Sequence, residues 1–265
     1  MQQQAADLRG EGDELNALLG TLAESDWDRN TPFKDWTVNH VMQHLHQGDW
    51  MKVLSMKDTD RFLEVSKARR AARERNDGST GLEDSGFEPQ QGSALREQWH
   101  RYFEEMCDLM AASDPKRRIK WVGPDMSIRM AATARQMETW AHGQDIYDLL
   151  RKPRTPTDRI KNIAVLGVKT YGWTFANRDM PVPGDMPYVR LTAPSGALWD
   201  WGEANDDNKV EGSALEFCQV VTQGRNVADV NLTVVGDPAQ AWMDIAQCFA
   251  GQPNDPPAPG HRAWS

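Results

Sequence analysis

The stretch that most constrains this chain is Arg135-Gln-Met-Glu138-Thr-Trp-Ala-His142-Gly-Gln-Asp145-Ile146. From Ser127 to Ala141 the sequence has no Gly or Pro, opens with a capping Ser after Gly123-Pro-Asp-Met, and repeats apolar residues at helical spacing, so it predicts a helix from Ser127 to Leu150. Glu138 and His142 then stand one above the other on a single face, close enough to grip one ion. Asp145 falls beside His142. There it can hydrogen-bond the ring, accept from a bound water, or serve as a further ligand.

Two residues do not close a coordination shell, so an ion held here needs a third ligand from elsewhere. His44 is the candidate. It lies in a second helical stretch, capped by Thr37 and running through Val38, Val41, Met42 and Leu45, and it shares the face of Val41 and Leu45. His40 and His46 are expected to face solvent. Glu and His at this spacing also occur as a simple charge-dipole pair on surface helices. The apolar, Trp-flanked setting argues for the metal, because ionisable groups are seldom placed there without a partner.

With those residues in hand, a resemblance emerges. Asp35-Trp36-Thr-Val38, then His44-Leu45 and Asp49, then Met137-Glu138-Thr-Trp-Ala-His142-Gly-Gln-Asp145 is similar to the DinB-like metal-binding bundles, specifically the mycothiol-dependent maleylpyruvate isomerase family. Val189-Arg-Leu-Thr-Ala-Pro-Ser-Gly196, Trp199-Asp-Trp-Gly202, the stretch Val210 to Gln223, and Asp244-Ile-Ala-Gln247 resemble the smaller C-terminal domain of the same family. The resemblance implies a four-helix bundle holding a divalent ion, usually zinc, through His44, Glu138 and His142. It also implies a low-molecular-weight thiol as cosubstrate.

The remaining sequence fits an α+β chain. At 265 residues it makes one large or two modest domains. Residues 5–24, Trp36 to about Leu54, and Ser93–Ala112 read as amphipathic helices that, with the metal-bearing helix, build the bundle. Phe62–Arg75, rich in Lys and Arg, reads as a solvated helix face. Residues 76–89 have loop composition and are either a plain surface excursion or a flap near a cleft. Thr157 caps another helix, and Pro181 to Pro187 is the linker candidate, after which the period changes from about 3.6 to 2. Tyr188–Ala193 and Ala197–Trp201 read as a hairpin around Pro194-Ser-Gly196, Lys209–Glu211 and Asn231–Val235 as strands, Ser213 as a helix cap, and Pro238 as the start of the last helix. The expected division is therefore a bundle at 1–180, a small α+β domain at 181–253, and a flexible tail at 254–265.

Function is bounded by charge. A net charge of −9 argues against nucleic acid and against a membrane surface. No apolar run reaches transmembrane length, and the first residues lack a signal-peptide pattern, so a cytoplasmic location is expected. Cys107, Cys218 and Cys248 lie in apolar helical patterns and read as reduced core thiols, not nucleophiles. Among the tryptophans, Trp36, Trp50 and Trp140 sit next to proposed ligands and either pack or wall a cleft.

Two imidazoles and a carboxylate leave positions open for water or substrate, as catalytic sites do. The ion can activate water for hydrolysis, or lower the pKa of a substrate thiol for attack on an electrophile. The resemblance favours the thiol. Arg225 in the C-terminal part is the candidate for orienting a carboxylate-bearing substrate, with Arg135 as a second whose other reading is an ion pair inside the bundle. Gly224 stands where a neighbouring Arg is expected in the family. A non-catalytic metal-binding or stress-associated module and a metal-dependent hydrolase remain alternatives, and the chain is either a monomer or a homodimer.

Overall fold

The computed structural model describes residues 1–76, 79–121 and 123–262. The chain divides into two compact units, Met1–Leu149 and Leu150–Ser265.

The first unit is built on four long helices: α1 (Gln2–Leu19), α2 (Val38–Lys57), α4 (Gly92–Ala112) and α5 (Ile128–Leu150). Helix α3 (Thr59–Arg75) packs on α2 as an addition. Strands β1 (Arg118–Ile119) and β2 (Met126–Ser127) form a short antiparallel pair before α5. The core is the apolar stripe that the helical period lays along each element: Leu8 and Leu15 on α1, Val41, Met42 and Leu45 on α2, Leu95, Trp99, Phe103 and Met106 on α4, Ala131, Trp140 and Ile146 on α5. Each large side chain removed from water in this way contributes roughly 1.5–3 kcal/mol. Helices α1 and α4 approach closely because Gly12 has no side chain; a Cβ there would lie 2.1 Å from Phe103 Cε1.

Helix starts follow their caps. Thr37 Oγ1 accepts from His40 N at 3.2 Å, and Thr37 N donates back to His40 Nδ1 at 3.3 Å, a reciprocal cap with His in the place usually held by Glu or Gln. Ser127 Oγ accepts from Met130 N at the head of α5.

The charged run is helix α3, with Phe62, Val65 and Ala72 as its buried stripe. It and the segment after it are held to α2 by a satellite cluster of Trp50, Met51, Phe62, Val65, Leu82 and Phe87. Leu82 and Phe87 thus pin residues 79–91 beside α2, while residues 77 and 78 of the expected loop lie outside those described.

The second unit carries α6 (Lys161–Lys169), α7 (Tyr171–Ala176), β3 (Tyr188–Thr192), β4 (Leu198–Trp201), β5 (Lys209–Ser213), α8 (Ala214–Val221), β6 (Thr233–Val235) and α9 (Asp237–Met243). Its sheet runs β4-β3-β5-β6, antiparallel except for the parallel β3–β5 pair. The expected hairpin forms, with Val189 opposite Trp201 and Leu191 opposite Trp199, turning at Gly196 with φ +85°.

Two expectations need correction. The division falls at Leu149/Leu150, not at residue 180, because α6 packs on α8 and the Tyr171 ring stands 5.3 Å from that of Trp242 in α9. The change of period at Pro181 therefore lies inside the second unit. The tail is not loose either: Asn254 donates to Gln223 Oε1 at 2.6 Å and to Gln247 Oε1 at 2.9 Å, Asn226 donates to the Pro257 carbonyl, and Gly260 N donates to Asp229. A composition rich in Pro and Gly suggested disorder, but the side chains of Gln247, Asn226 and Asp229 hold this backbone at Asn254, Pro257 and Gly260. Residues 263–265 lie outside those described.

Candidate metal centre

Helices α2 and α5 lie side by side and bring His44, Glu138 and His142 together. Their ligand atoms all lie within 4.8 Å of one another. His44 Nε2 is 3.1 Å from Glu138 Oε2, and His142 Nε2 is 3.7 Å from the same oxygen. Donors bound at about 2.0–2.1 Å around a tetrahedral ion are about 3.3 Å apart, so this spacing fits one cation.

The donors also have the right chemistry. Burial raises the Glu138 carboxyl, but the hydrogen bond with His44 and the electrostatic influence of the neighbouring His142 and Arg135 outweigh it and hold the pKa down at about 2. Burial pushes the His44 imidazole below its ordinary value against the pull of Glu138, favouring the neutral ring that a metal requires. Asp145 Oδ2 lies 3.0 Å from His142 Nδ1, which directs Nε2 of that ring to the centre. Of the three roles left open for Asp145, holding the ring is the one the geometry displays; it is not a member of the ligand cluster.

Beneath the ligands runs a buried polar column. Arg135 donates from Nε to Asp49 Oδ1 at 2.8 Å and from Nη2 to the Leu45 carbonyl at 3.1 Å, and Asp49 Oδ2 accepts from Trp99 Nε1 at 2.9 Å. Arg135 is only 4% exposed, so the bundle ion pair describes it and the substrate-orienting reading does not. It ties α2 to α5 beside the centre. Gly48 makes room for it: a Cβ there would sit 2.5 Å from Arg135 Nη1.

A turn covers the centre from the other side. Lys34 and Asp35 both have positive φ, +50° and +55°, and Trp36 N donates to the Phe33 carbonyl at 2.9 Å, as in the type I′ turns that close tight hairpins. Asn30 and Thr37 bridge below it. The turn sets the Phe33 ring edge-on to His142 at 5.0 Å and the Trp36 ring nearly parallel to His142 at 6.0 Å and 5.4 Å from His44. Trp36 therefore walls the site, whereas Trp50 and Trp140 are buried in packing.

Beside Trp36 a cleft of about 570 Å³ opens, with His44 in its wall and the His44 side chain still 39% exposed. That is the size of small-molecule sites. Its far side is the 79–89 segment, which therefore lies at a cleft, pinned there by Leu82 and Phe87.

Several expectations change here. His40 is exposed as expected, but His46 is 1% exposed. A turn of about 100° per residue does carry it off the His44 face, yet Phe87 and Tyr102 cover the face it reaches, with ring centroids 5.1 and 5.2 Å away. Lys52, two turns beyond His44 on α2, is wholly buried, its Nζ over the Trp121 ring and 3.4 Å from Met126 Sδ. The spacing of eight residues from His44 was the available signal for it, unread because lysine is normally a surface residue. The cysteines are free and buried, and burial pushes the Cys107 thiol up to about 12. Arg225 belongs to the second unit, where it is 5% exposed and donates from Nη1 to the Gly224 carbonyl at 2.8 Å.

Comparison with known proteins places the chain in a family. A family model described as the mycothiol maleylpyruvate isomerase N-terminal domain matches residues 8–147, which include His44, Glu138, His142 and Asp145. The chain belongs to this family. Among relatives of this maleylpyruvate isomerase family chain are the uncharacterized proteins MT0041 and Rv0036c from two strains of Mycobacterium tuberculosis. Each is 37% identical over 250 residues, covering 94% of this chain and 95% of the relative. The crystal structure of the mycothiol-dependent maleylpyruvate isomerase superposes with a TM-score of 0.50 at 13% identity, over 82% of this chain and 87% of that one. At that identity the likeness concerns the fold, a DinB-like helical part followed by a small α+β part.

Proposed function

We propose that this protein is a zinc-dependent thiol transferase or isomerase of the cytoplasm, which adds a low-molecular-weight thiol, mycothiol by the family's description, to a small electrophile. The observation that carries the reading is the convergence of His44, Glu138 and His142 beside an open cleft, a donor set that suits zinc and leaves coordination positions for a ligand. Bound there, a divalent cation would lower the pKa of a substrate thiol and so raise the fraction present as thiolate at neutral pH.

The chain's own groups serve that chemistry. Glu138 stays ionised and Asp145 fixes the His142 ring. Phe33 and Trp36 keep bulk water off two sides of the imidazoles. No cysteine is offered as nucleophile. A carboxylate on the electrophile would need a cation, and Arg135, the basic residue beside the centre, is already engaged by Asp49.

The deciding experiment is elemental analysis of the purified protein followed by a thiol-consumption assay with electrophiles. Stoichiometric zinc, thiol-dependent turnover, and loss of both in His44→Ala and His142→Ala are expected. Zinc whose removal lowers stability, with no turnover under any condition, would instead identify a non-catalytic metal-binding module. Turnover that persists without thiol would identify a hydrolase.

A further inference from the structure

One cation beside the cleft has no partner of opposite sign. Arg69 on α3 is half-buried, and its side chain makes a single hydrogen bond among the described residues, from Nη2 to Gln47 Oε1 at 2.6 Å. Burial and the like charge of Arg73, one turn further along α3, both push the Arg69 guanidinium below its ordinary value, and no carboxylate pulls it back. It stays charged nonetheless, because a guanidinium does not give up its proton in a protein. A half-buried cation satisfied only by a neutral amide carries a desolvation cost that an anion beside it would offset.

The two carboxylates of the cleft lining do not serve Arg69. Glu83 accepts from Thr80 N at 2.7 Å and from Thr80 Oγ1 at 3.0 Å, which turns it into its own loop, and Asp35 stands on the Phe33–Trp36 turn next to Lys34. The formal charges of Asp35, Glu83, Lys34 and Arg69 cancel, so local geometry and not net charge decides what binds here. The segment after α3 sets where Arg69 starts from. Gly81, with φ +70°, lies so close to α3 that a Cβ would sit 2.6 Å from both the Ala68 carbonyl oxygen and Arg69 Cα. From that crossing the Arg69 side chain reaches α2.

On α2, His40, Gln43, His44 and Gln47 line the cleft as one helical stripe. Three residues put Gln47 about 4.5 Å along the helix axis from His44. Arginine has only donors, so its bond fixes the Gln47 amide with Oε1 toward the guanidinium and leaves the NH₂ as the end available to a ligand. An amide polarised in this way by a cation is a stronger donor than a free one.

We propose that Gln47 and Arg69 form the carboxylate-binding end of this cleft: Gln47 donates its NH₂ to the carboxylate, and Arg69 behind it fixes the amide and supplies the positive charge. The inference rests on the thiol-addition reading above and names the residues that orient its second substrate, with the reactive carbons toward His44. Gln47 touches the ligand, and Arg69 is a positioning residue that acts through it.

The test titrates succinate and its uncharged counterpart succinamide by calorimetry into the zinc-loaded full-length protein, without thiol. Wild type is expected to bind succinate more tightly than succinamide. Arg69→Gln is expected to weaken succinate about tenfold or more and to leave succinamide within about twofold, with Arg69→Lys, which keeps the charge, falling between. Gln47→Glu replaces the NH₂ donor with a carboxylate oxygen and gives Arg69 an internal partner. It is expected to fold and to lose succinate, which decides the matter if Arg69→Gln does not fold. Succinate bound as tightly by Arg69→Gln or Gln47→Glu as by wild type, or no more tightly than succinamide by wild type, overturns the proposal. In parallel, conversion of maleate is followed with mycothiol present. A KM raised about tenfold in Arg69→Gln with kcat little changed supports the proposal, because a merely structural role would not confine the loss to binding. An unchanged KM overturns it and leaves the thiol reading standing. Charge-selective binding that depends on Arg69, with no conversion of maleate, leaves the carboxylate site standing and sinks the thiol reaction.

Discussion

At the scale of single residues, two of the titratable groups that the bundle buries outside the metal centre, His46 and Lys52, each predict a stability signature. His46 lies between Phe87 and Tyr102, and burial lowers its pKa from the ordinary 6.5 to about 4. Above pH 6.5 the ring is neutral in both folded and unfolded chains and adds no pH dependence. As pH falls from 6.5 toward 4 the unfolded chain takes up a proton that the folded one refuses, so stability drops, by on the order of 3 kcal/mol over the whole window. Urea midpoints at pH 7 and pH 4.5 should therefore separate more for the wild type than for His46→Leu. Equal separations would show that His46 does not carry the acid limb. Lys52 works in the other direction along the pH scale. Burial pushes its ammonium well below the ordinary 10.5, so at pH 7 the folded chain bears a cost that shrinks as pH climbs toward that value. Lys52→Met, which keeps the stem, should raise stability by about 1 kcal/mol or more at pH 7 and by less at pH 10. A destabilised variant at pH 7 would mean that the Trp121 and Met126 contacts outweigh desolvation.

At the scale of elements, the sequence spelled out the helices better than their faces. Glu138, His142 and His44 were legible because ligand spacing along a helix is a local property, fixed by 3.6 residues per turn. What closes over them was not. The burial of His46 depends on Phe87, 41 positions later in the sequence, and the wall role of Trp36 depends on a turn built by Lys34 and Asp35, neither of them the Gly or Asn usually found at positive φ. Gly48 shows the same point in energetic form. Read along the chain it is a weak spot in α2, where Ala should gain about 1 kcal/mol of helix stability. Across the α2–α5 contact it is the space that Arg135 occupies. Gly48→Ala is therefore expected to lose about 1–3 kcal/mol, because displacing Arg135 loosens its pairing with Asp49. Gly172→Ala in α7, where an added Cβ meets nothing within 4 Å, serves as the contrast and should be neutral or stabilising. Thermal denaturation of both variants checks the pair, and a Gly48→Ala protein as stable as wild type would show that Arg135 has room to move.

At the scale of the whole molecule, the order of helices and strands was enough to read an α+β chain in two parts, since a change of period from 3.6 to 2 marks a change of element type wherever it occurs. It does not mark a unit boundary. Helices α6 and α7 precede the change yet belong with the sheet, because their apolar faces meet α8 and α9, contacts that no local pattern encodes. The last residues make the same argument, and it can be tested. Gln223 and Gln247 are buried amides, 6% and 1% exposed, whose polar ends are satisfied in part by Asn254. Removing residues 254–265 strips those partners away, together with the Asn226–Pro257 and Gly260–Asp229 hydrogen bonds. A buried amide left without its partner costs about 1–3 kcal/mol, and water entering the exposed seam recovers some of that. The truncated protein should lose several kcal/mol, and the loss should be local. Amide hydrogen exchange should speed up in α8, whose C-terminal turn leads into Gln223, while α2 and α4 of the first unit keep their protection. Unchanged exchange in α8 would mean that the tail is carried by the second unit without bracing it, and that its Pro- and Gly-rich composition described it correctly after all.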